Sequence, residues 1–497
     1  MGFSAEHDPP SQLIITHSRL DPRSNLFDLA PSLLTFSAGA LRLTSPQAAQ
    51  PQDAQDPQVA QDFSNWRDLL RGEGPALVYL SLIAALILFS YALARGPSES
   101  LFLATYGAAA HTLLPGLWIE VGLSVICVVI IYNALLRYLS LTTMFQLATA
   151  MTALSLLTLL GTSIGGADTT YAIGGVELPA GNTTLVRIWS DLYIVVLVET
   201  YWSLANLHFP LKKAKLVYGF LCAAGTLGSM AGNALVASKL LSVEEMIWSV
   251  IPVMLVMSLI IALLSRLWSV QGYGEQSREP REVSSDPPAQ PQSKSASGLL
   301  KSFKILASSR YLIWILLIVL LSQVSVTLID YEYKRWLELT YKTKDEISAF
   351  QGWVYLVIDI GALSTQLLTG LILVKLGVHR TLLFIPILLL ALTGVMFALP
   401  SMLLIAGARS VAKFLSYSLF KSAKELLYVP LTYEEKTQGK ALIDIMIYRQ
   451  AKIFASVLLL PSVGLITLGA GPLALGVMIA WVVVTLKLMS VSRDSIT

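Results

Sequence analysis

Long apolar stretches alternate with short polar segments along most of this chain. Twelve of these stretches approach or exceed the roughly 20 residues that a helix needs to cross a bilayer. They lie near residues 76–94, 115–136, 142–161, 186–208, 214–238, 246–268, 310–330, 349–375, 381–399, 401–420, 441–466 and 470–489. The pattern predicts an all-α polytopic membrane protein with about twelve transmembrane helices.

Composition supports a lipid environment. Of the 497 residues, 55% are hydrophobic and 13% are charged, against roughly 25% charged residues in soluble domains. The basic residues are too dispersed for a nucleic-acid interface. The chain contains neither a nucleotide-hydrolysis loop nor a metalloprotease or nucleophile-elbow motif, so we expect a protein that is not an enzyme and needs no cofactor or metal.

Polar segments divide the chain into four parts. Residues 1–61 are rich in Pro, Gln, Ser and Ala, which predicts a disordered tail. Residues 62–270 and 301–497 form two halves of six spans each, and residues 271–300 form a polar, flexible linker between them. Residues 62–71 are amphipathic, as in either an interfacial helix or an extension of the first span.

The loop charges predict the orientation. With a cytoplasmic N-terminus, most loop Lys and Arg residues fall on the cytoplasmic side, including those of the linker, as the positive-inside rule requires. Fewer fall outside, mainly Lys334, Arg335, Lys342 and Lys344. An even number of spans then places both termini in the cytoplasm.

The fourth span contains an intramembrane carboxylate. Glu199, Ser203 and Asn206 are four and three residues apart and share one helix face. A charge at the bilayer centre costs about 2.5–3.5 kcal/mol, so this face is expected to line a water-filled path. The alternative is a carboxylate buried in a helix–helix hydrogen bond.

The eleventh span contains a longer polar stripe. Asp444, Tyr448 and Lys452 recur every four residues, and Arg449 and Ser456 extend the same arc. The stripe is expected to face a cavity and to attract an anion. Alternatively, Asp444 forms an ion pair with Lys452 or Arg449 that stabilises the helix bundle. One of the two cations then still remains without a carboxylate partner.

Other polar residues allow two interpretations. Asp330, at the end of the seventh span, either contacts substrate or is a solvated boundary group. Arg409 and Lys413 in the tenth span either face the cavity or extend to the membrane surface. The small residues of the fifth span are expected to serve helix packing; they are Gly225, Gly228, Ser229 and Gly232.

One ordered block of residues resembles the ATP/ADP translocase family of plastids and obligate intracellular bacteria. The matching residues are Lys424, Glu425, Tyr428, Pro430, Leu431, Gly439, Lys440, Ala441, Ile443, Asp444, Arg449 and Lys452. The resemblance implies a nucleotide carrier with two parallel six-helix halves, which is the major facilitator-like architecture. It also implies a bacterial inner membrane location, with the plastid envelope as the alternative.

Weaker similarity extends over residues 75 to 490. It includes Arg95 near the end of the first helix, places Glu199 at a functional glutamate of the family, and places Asp330 where the family has another glutamate. The chain also departs from the family, because a functional lysine of the second helix falls on Trp118. The loss of this cation weakens the expectation of ATP/ADP exchange in particular.

The leading hypothesis is secondary transport of a small anionic solute, with a nucleotide of the ATP/ADP type as one candidate. In it, Lys424, Arg449 and Lys452 neutralise the substrate, while Glu199 and Asp330 contact the rest of it. The first alternative is a proton-coupled carrier of a non-nucleotide solute with Glu199 as the proton site. The second is a lipid-binding or scaffold membrane protein that does not transport. Asp444 and Tyr448 complete the predicted binding site, with Ser203, Asn206 and Arg95 lining the cavity.

Overall fold

The computed structural model describes residues 73–136, 138–162, 164–209, 211–270, 304–432, 435, 440, 443, 448–460, 463 and 470–494. The predicted tail, the amphipathic segment 62–71 and the linker 271–300 lie outside the described residues. The remaining chain is helical except for one hairpin in its described part.

The helices follow the predicted spans. They are α1 (Gly74–Tyr106), α2 (Ala110–Leu135), α3 (Leu141–Thr162), α4 (Asn182–His208), α5 (Leu211–Ala237), α6 (Val243–Trp248), α7 (Val250–Val270), α8 (Arg310–Thr340), α9 (Lys344–Leu376), α10 (Val378–Ala398), α11 (Met402–Leu415), α12 (Lys421–Leu427), α13 (Tyr448–Leu458) and α14 (Ala470–Asp494). A 3₁₀ turn, Gly107–Ala109, separates α1 from α2, and a π-helical turn, Ser416–Phe420, joins α11 to α12. Each of the twelve predicted spans overlaps a helix.

Nine helical segments within the described residues are long and apolar enough to cross a membrane. One of them, Gly74–Leu135, has 62 residues and comprises α1 and α2. At about 1.5 Å per residue it is roughly three times as long as the ~30 Å hydrocarbon core is thick, which is enough for two crossings. The α4 helix does not meet this criterion, because charged residues interrupt its apolar sequence.

Local sequence signals explain several helix ends. Thr343 and Glu346 form a reciprocal capping box at the start of α9, and Ser242 and Glu245 form another at α6. Such caps satisfy backbone N–H groups that have no partner within the helix. The starts of these two helices are therefore set by residues next to them, independently of the remaining fold.

Two of the three hydrophobic clusters lie within one half each, and the third contains residues from both halves. Between the halves, α5 packs against α9, and α2 packs against α13. These are the fifth with the eighth span and the second with the eleventh. The second span is equivalent to the eighth and the fifth to the eleventh, so exchanging the halves converts one pair into the other, as expected for two related halves around a pseudo-two-fold axis.

Glycine allows the close approach at both of these contacts. A Cβ on Gly352 of α9 would lie 2.6 Å from the backbone nitrogen of Ala237 in α5. A Cβ on Gly122 of α2 would lie 2.5 Å from the side chain of Ile453 in α13. Any larger residue would push the halves apart at these positions.

The packing role predicted for the glycines of α5 is confirmed. A Cβ on Gly232 would lie 2.7 Å from the Cβ of Ala92 in α1, and one on Gly228 would clash with the backbone of Ala85. These positions form the contact between α1 and α5 inside the first half.

A β-hairpin that the hydropathy pattern does not predict connects α3 to α4. Strands β1 (Thr169–Ile173) and β2 (Val176–Ala180) pair antiparallel. The turn consists of Gly174 and Gly175, both with positive φ, as two-residue hairpin turns require. Tyr171 donates a hydrogen bond to Glu120 of α2, with 2.8 Å between the oxygens, so the hairpin is fixed to the helical bundle.

The start of α1 is held by a polar cluster. The Glu73 carboxylate accepts a hydrogen bond from Nζ of Lys213 at 2.7 Å and lies 2.8 Å from Nε2 of His208. Burial raises the pKa of Glu73, but the interactions with Lys213 and His208 lower it by more. The net pKa therefore lies below the ordinary value of 4.5.

Candidate functional site

Four helices each contain two charged residues one turn apart. They are the first, fourth, seventh and tenth spans, and residues four apart share a helix face. The pairs are Arg95 and Glu99 on α1, Arg187 and Asp191 on α4, Asp330 and Lys334 on α8, and Arg409 and Lys413 on α11. Together with Lys452 of α13, these nine residues form what we call the central network.

In the first half, Arg187 connects α4 to α1. One of its terminal nitrogens lies 3.0 Å from Oδ2 of Asp191, and the other lies 3.7 Å from Oε2 of Glu99. Arg187 also donates to Oγ of Ser190 at 2.9 Å, and Ser98 of α1 donates to the same oxygen at 3.0 Å. The buried guanidinium is thus held by two carboxylates and a hydroxyl group.

In the second half, Asp330 connects α8 to α11. Its Oδ1 accepts a 2.7 Å bond from Nε of Arg409, and its Oδ2 lies 3.2 Å from Nζ of Lys334. Arg409, which is 1% exposed, also donates to the hydroxyl oxygen of Tyr355 in α9 at 2.8 Å. A buried charge is tolerated in a membrane protein when it is paired in this way.

Two contacts join the halves at the same depth. Nζ of Lys334 lies 3.0 Å from Oε1 of Glu99. The ring of Tyr355 lies close to two guanidinium groups, with the Arg95 carbon 4.2 Å and the Arg409 carbon 4.7 Å from the ring centroid. Glu99 and Arg95 belong to the first half and their partners to the second, so any motion of one half against the other changes these contacts.

The charges of the central network are not balanced. Three cations, Arg187, Lys334 and Arg409, pair with three carboxylates, Glu99, Asp191 and Asp330. Arg95, Lys413 and Lys452 have no carboxylate oxygen within 4.0 Å in the part of the chain that the structure describes. These three residues lie on three helices from both halves, and within the described structure no counter-charge contacts their side chains.

Lys452 lies where α2 meets α13. Its Nζ is 5.1 Å from the ring centroid of Trp118, and Asp191 is close enough to act on it electrostatically without forming an ion pair. Ser456, one turn further on, donates to the backbone carbonyl of Lys452 at 2.8 Å. Lys413 likewise acts electrostatically on Asp330 from one turn beyond Arg409.

The structure brings three of the residues predicted from the sequence together: Asp330, Arg95 and Lys452. It corrects two predictions on the seventh span. That span does not end at residue 330, because α8 continues to Thr340, and Asp330 is buried in ion pairs rather than solvated at a boundary. Lys334 is not a loop residue. It lies inside the bundle, where Glu99 and Asp330 neutralise its charge. Arg409 likewise packs inside the bundle instead of extending to its surface.

Other predicted site residues lie further along the helices. Glu199 is eight residues beyond Asp191 on α4, and Lys424 is eleven residues beyond Lys413, or roughly 12 and 16 Å at 1.5 Å per residue. Because α4 and α11 belong to equivalent spans of parallel halves, both displacements point towards the same end of the bundle. Lys424 is buried near the ring of Tyr428, whereas Glu199 is exposed.

The remaining predicted residues are only partly described. Ser203 is half-buried, and Asn206 is exposed and accepts a hydrogen bond from Tyr218 of α5. Tyr448 and Arg449 lie in the first turn of α13, but the structure does not describe their side chains. Asp444 lies outside the described residues, so its pairing with Lys452 or Arg449 remains a prediction.

Three residues of the network were missed by the sequence analysis: Glu99, Arg187 and Asp191. Glu99 lies beyond the predicted end of the first span, and Arg187 lies at the predicted start of the fourth. A search for two charges four residues apart in the first, fourth, seventh and tenth spans and in the residues just beyond their ends would have found all three.

Comparison with known proteins identifies the family. A model of the TLC ATP/ADP transporter family matches residues 183–407 and 401–492. The chain belongs to this family. The match covers α4, α8 and α11, which contain six of the nine residues of the central network, and continues through α13, which contains Lys452.

The similarity to individual family members is low. The chain is 27% identical over 323 residues to ADP,ATP carrier protein 1 of Chlamydia pneumoniae, covering 55% of this chain and 60% of that protein. It is 23% identical over 303 residues to ADP,ATP carrier protein 3 of Rickettsia bellii, covering 53% and 59%. The chain thus spans about three fifths of the length of these curated relatives.

Solved structures support the fold. The nucleoside transporter NupG has a TM-score of 0.54 at 12% identity, covering 83% of this chain and 98% of that one. The D-xylose-proton symporter also has a TM-score of 0.54, at 12% identity, covering 83% and 96%. The major facilitator-like architecture predicted from the two halves is therefore confirmed, and this TLC-family chain is an integral membrane protein.

Proposed function

We propose that this protein is a secondary transporter that moves a polyanionic metabolite, a nucleotide such as ADP or ATP, across a bacterial inner membrane by alternating access. The observation that supports this most directly is the charge of Arg95, Lys413 and Lys452, none of which has a carboxylate oxygen within 4.0 Å among the described residues. The TLC family and the ADP,ATP carrier proteins among its relatives provide the candidate substrate.

The charge argument is energetic. An unpaired charge in the membrane interior costs several kcal/mol, and it is retained where it serves a substrate pathway. An anion that binds between the three cations compensates all of them at once, in surroundings of lower dielectric than water, where the attraction is stronger. Phosphate groups suit this arrangement because guanidinium and ammonium groups both bind phosphate oxygens by charge-assisted hydrogen bonds.

The contacts between the halves suggest how binding is coupled to motion. The substrate phosphates compete with Glu99 for Lys334 and with the Tyr355 ring for Arg95. Since both contacts join the two halves, the occupied site holds the halves together less firmly than the unoccupied one. Lys424, Glu199 and the predicted contribution of Arg449, Tyr448 and Asp444 extend the path towards one end of the bundle.

The described structure is closed at the opposite end. Lys344 and Glu244 form an ion pair between the halves, and the backbone N–H of Val243 donates to Oδ1 of Asp345 at 3.0 Å. With the N-terminus in the cytoplasm, as the loop charges predict, this closed end is the outer one.

The test is counterflow into proteoliposomes that contain the purified full chain. Vesicles preloaded with ADP should accumulate labelled ATP many-fold faster than unloaded vesicles, and a protonophore should not abolish the difference. Arg95→Gln and Lys452→Gln should each lower uptake about tenfold or more, because a charged hydrogen bond is worth about 1.5–3 kcal/mol. Lys487→Gln removes a peripheral cation stacked on Trp314 and serves as the matched control.

Equal uptake into preloaded and unloaded vesicles would contradict exchange. Equal losses in all three variants would show that the central cations have no special role. Both results would refute the proposal, provided that each variant reaches the vesicles in the same amount.

A second candidate function, proton-coupled transport, is favoured by one observation. Asp359 of α9 accepts hydrogen bonds from Ser229 at 2.7 Å and Asn233 at 2.9 Å, both in α5 of the other half. No Lys, Arg or His nitrogen lies within 4.0 Å of this carboxylate among the described residues. A proton on Asp359 would change a contact between the halves, so uptake that collapses with the proton gradient, and in Asp359→Asn, would support this function instead.

A further inference from the structure

Trp118 occupies an unusual position for a large apolar residue. It is 1% exposed, lies on α2, and belongs to the hydrophobic cluster that contains residues of both halves. Two ammonium groups lie over its ring, Lys334 at 4.8 Å and Lys452 at 5.1 Å from the ring centroid. The edge of Tyr331 contacts it as well, at a centroid distance of 6.4 Å.

The indole ring of Trp118 holds the ammonium groups of Lys334 and Lys452 close together although both are positively charged. The negative face of an indole attracts an ammonium group, and tryptophan does this better than tyrosine or phenylalanine. Lys334 is also paired with Glu99 and Asp330, whereas Lys452 has no such partner among the described residues. The position of Lys452 therefore depends mainly on Trp118 and on the close contact between α2 and α13.

The polar atom of Trp118 supplies a second, independent observation. Its Nε1–H is buried and has no hydrogen-bond acceptor within the described residues. A buried donor that lacks an acceptor is costly, and such groups are rare in folded proteins unless they serve a purpose. An anion bound against Lys452 offers that acceptor, because phosphate oxygens accept hydrogen bonds from neutral donors as well as from cations.

We propose that Trp118 determines which anion charge the central site accepts. It binds the anion through its indole N–H beside Lys452, and it does so without adding a charge of its own. The site consequently selects an anion of lower charge than it would with a basic residue at this position. This inference rests on the proposed anion transport and concerns the same site.

A packing role alone makes a different prediction. If Trp118 only fills space in the cluster between the halves, a lysine at this position lowers stability and weakens every anion by the same factor or not at all, and a phenylalanine, which keeps an aromatic ring there, leaves the anion affinities unchanged. A change in the order of preference among anions of different charge is specific to the selective role.

The test uses inorganic phosphate, pyrophosphate and tripolyphosphate as probes, since these anions differ in charge but contain no base or sugar. Calorimetric titration of the purified full chain in detergent gives the Kd for each. Trp118→Lys should shift the ratio of tripolyphosphate to pyrophosphate affinity about tenfold in favour of tripolyphosphate, the effect of roughly one added charged hydrogen bond. Trp118→Phe should weaken all three anions about threefold to tenfold and keep their order.

The control is Trp189→Phe. Trp189 is another buried tryptophan in the bundle, and its Nε1–H donates to Ser155 at 3.0 Å. Its replacement should change neither the affinities nor their order. Any loss of binding through general destabilisation would appear in this variant too.

Unchanged affinity ratios in Trp118→Lys would overturn the proposal. Unchanged affinities in Trp118→Phe would overturn it as well. If the lysine variant does not fold, the phenylalanine variant decides alone. The proposal also fails if the wild-type protein binds none of the three anions. Nucleotide exchange is tested separately in proteoliposomes, so a shifted polyphosphate ratio without nucleotide uptake would reject the nucleotide substrate while supporting the role of Trp118.

Discussion

Replacing Lys334 and Lys452 by glutamine, one at a time, distinguishes two kinds of cation in the central network. Lys334 is 2% exposed and lies 3.0 Å from Glu99 and 3.2 Å from Asp330. Lys452 contacts Trp118 and has no carboxylate oxygen within 4.0 Å in the described part of the chain. The two lysines share one aromatic ring but differ in charge compensation, so they form a matched pair.

The structure gives opposite expectations for stability and binding. Removing Lys334 leaves the buried Glu99 without its partner across the halves, and breaking a buried ion pair in this way costs about 3–5 kcal/mol. Removing Lys452 breaks no ion pair among the described residues. It loses about 0.5–2 kcal/mol of cation–π attraction, which is partly offset because repulsion from Lys334 disappears.

Binding should change in the reverse order. The Lys452 ammonium is available to an anion, and a charged hydrogen bond of about 1.5–3 kcal/mol corresponds to a roughly 10- to 150-fold rise in Kd when it is lost. Relative to the stability that is lost, Lys334→Gln should raise Kd less than Lys452→Gln does. In addition, the double variant Glu99→Gln, Lys334→Gln should recover part of the stability, because no unpaired charge then remains at this contact between the halves.

Thermal unfolding of the purified protein in detergent measures the first effect, and titration with pyrophosphate measures the second. The reasoning is refuted if Lys452→Gln lowers the melting temperature as much as Lys334→Gln does. It is refuted equally if Lys452→Gln binds pyrophosphate as tightly as the wild type.

Three further predictions concern the helix contacts. Gly352→Val should lower stability by about 1–3 kcal/mol through its clash with the backbone of α5, whereas Gly370→Val on the same helix, with nothing within 4 Å of its Cβ position, should change the melting temperature little. Cysteines at Val243 and Asp345, in a chain without its native cysteines, should cross-link at the closed end and block uptake until a reductant is added; full uptake by the cross-linked protein would show that this end need not open. Glu73→Gln should lower the melting temperature near pH 7, and the difference should shrink as the pH falls below about 4.5 and vanish below the depressed folded-state pKa of Glu73, where the carboxylate is protonated in the folded state too; a difference that does not shrink below pH 4.5 would contradict this.

The candidate site was only partly predictable. Lys452 and Asp330 were found because a charge within an apolar stretch is conspicuous in the sequence, and Arg95 was found through the resemblance to the carrier family. Glu99 and Arg187 were missed because each lies where hydropathy predicts the end of a span. Hydropathy averages over neighbours, so two charges one turn apart shorten the predicted span at the very positions where the helix is buried in ion pairs.

The sequence by itself determined the polytopic helical architecture and the resemblance to nucleotide carriers. These properties depend on local features: about 20 apolar residues suffice for a helix to cross the membrane, and caps act on their own helix. Only the tertiary structure decided which charges neutralise one another. Glu99 and Lys334 come from different halves. The periodicity of one helix does not show how a neighbouring helix is aligned with it. The helix packing that brings them to 3.0 Å also leaves Arg95, Lys413 and Lys452 without carboxylates in contact among the described residues.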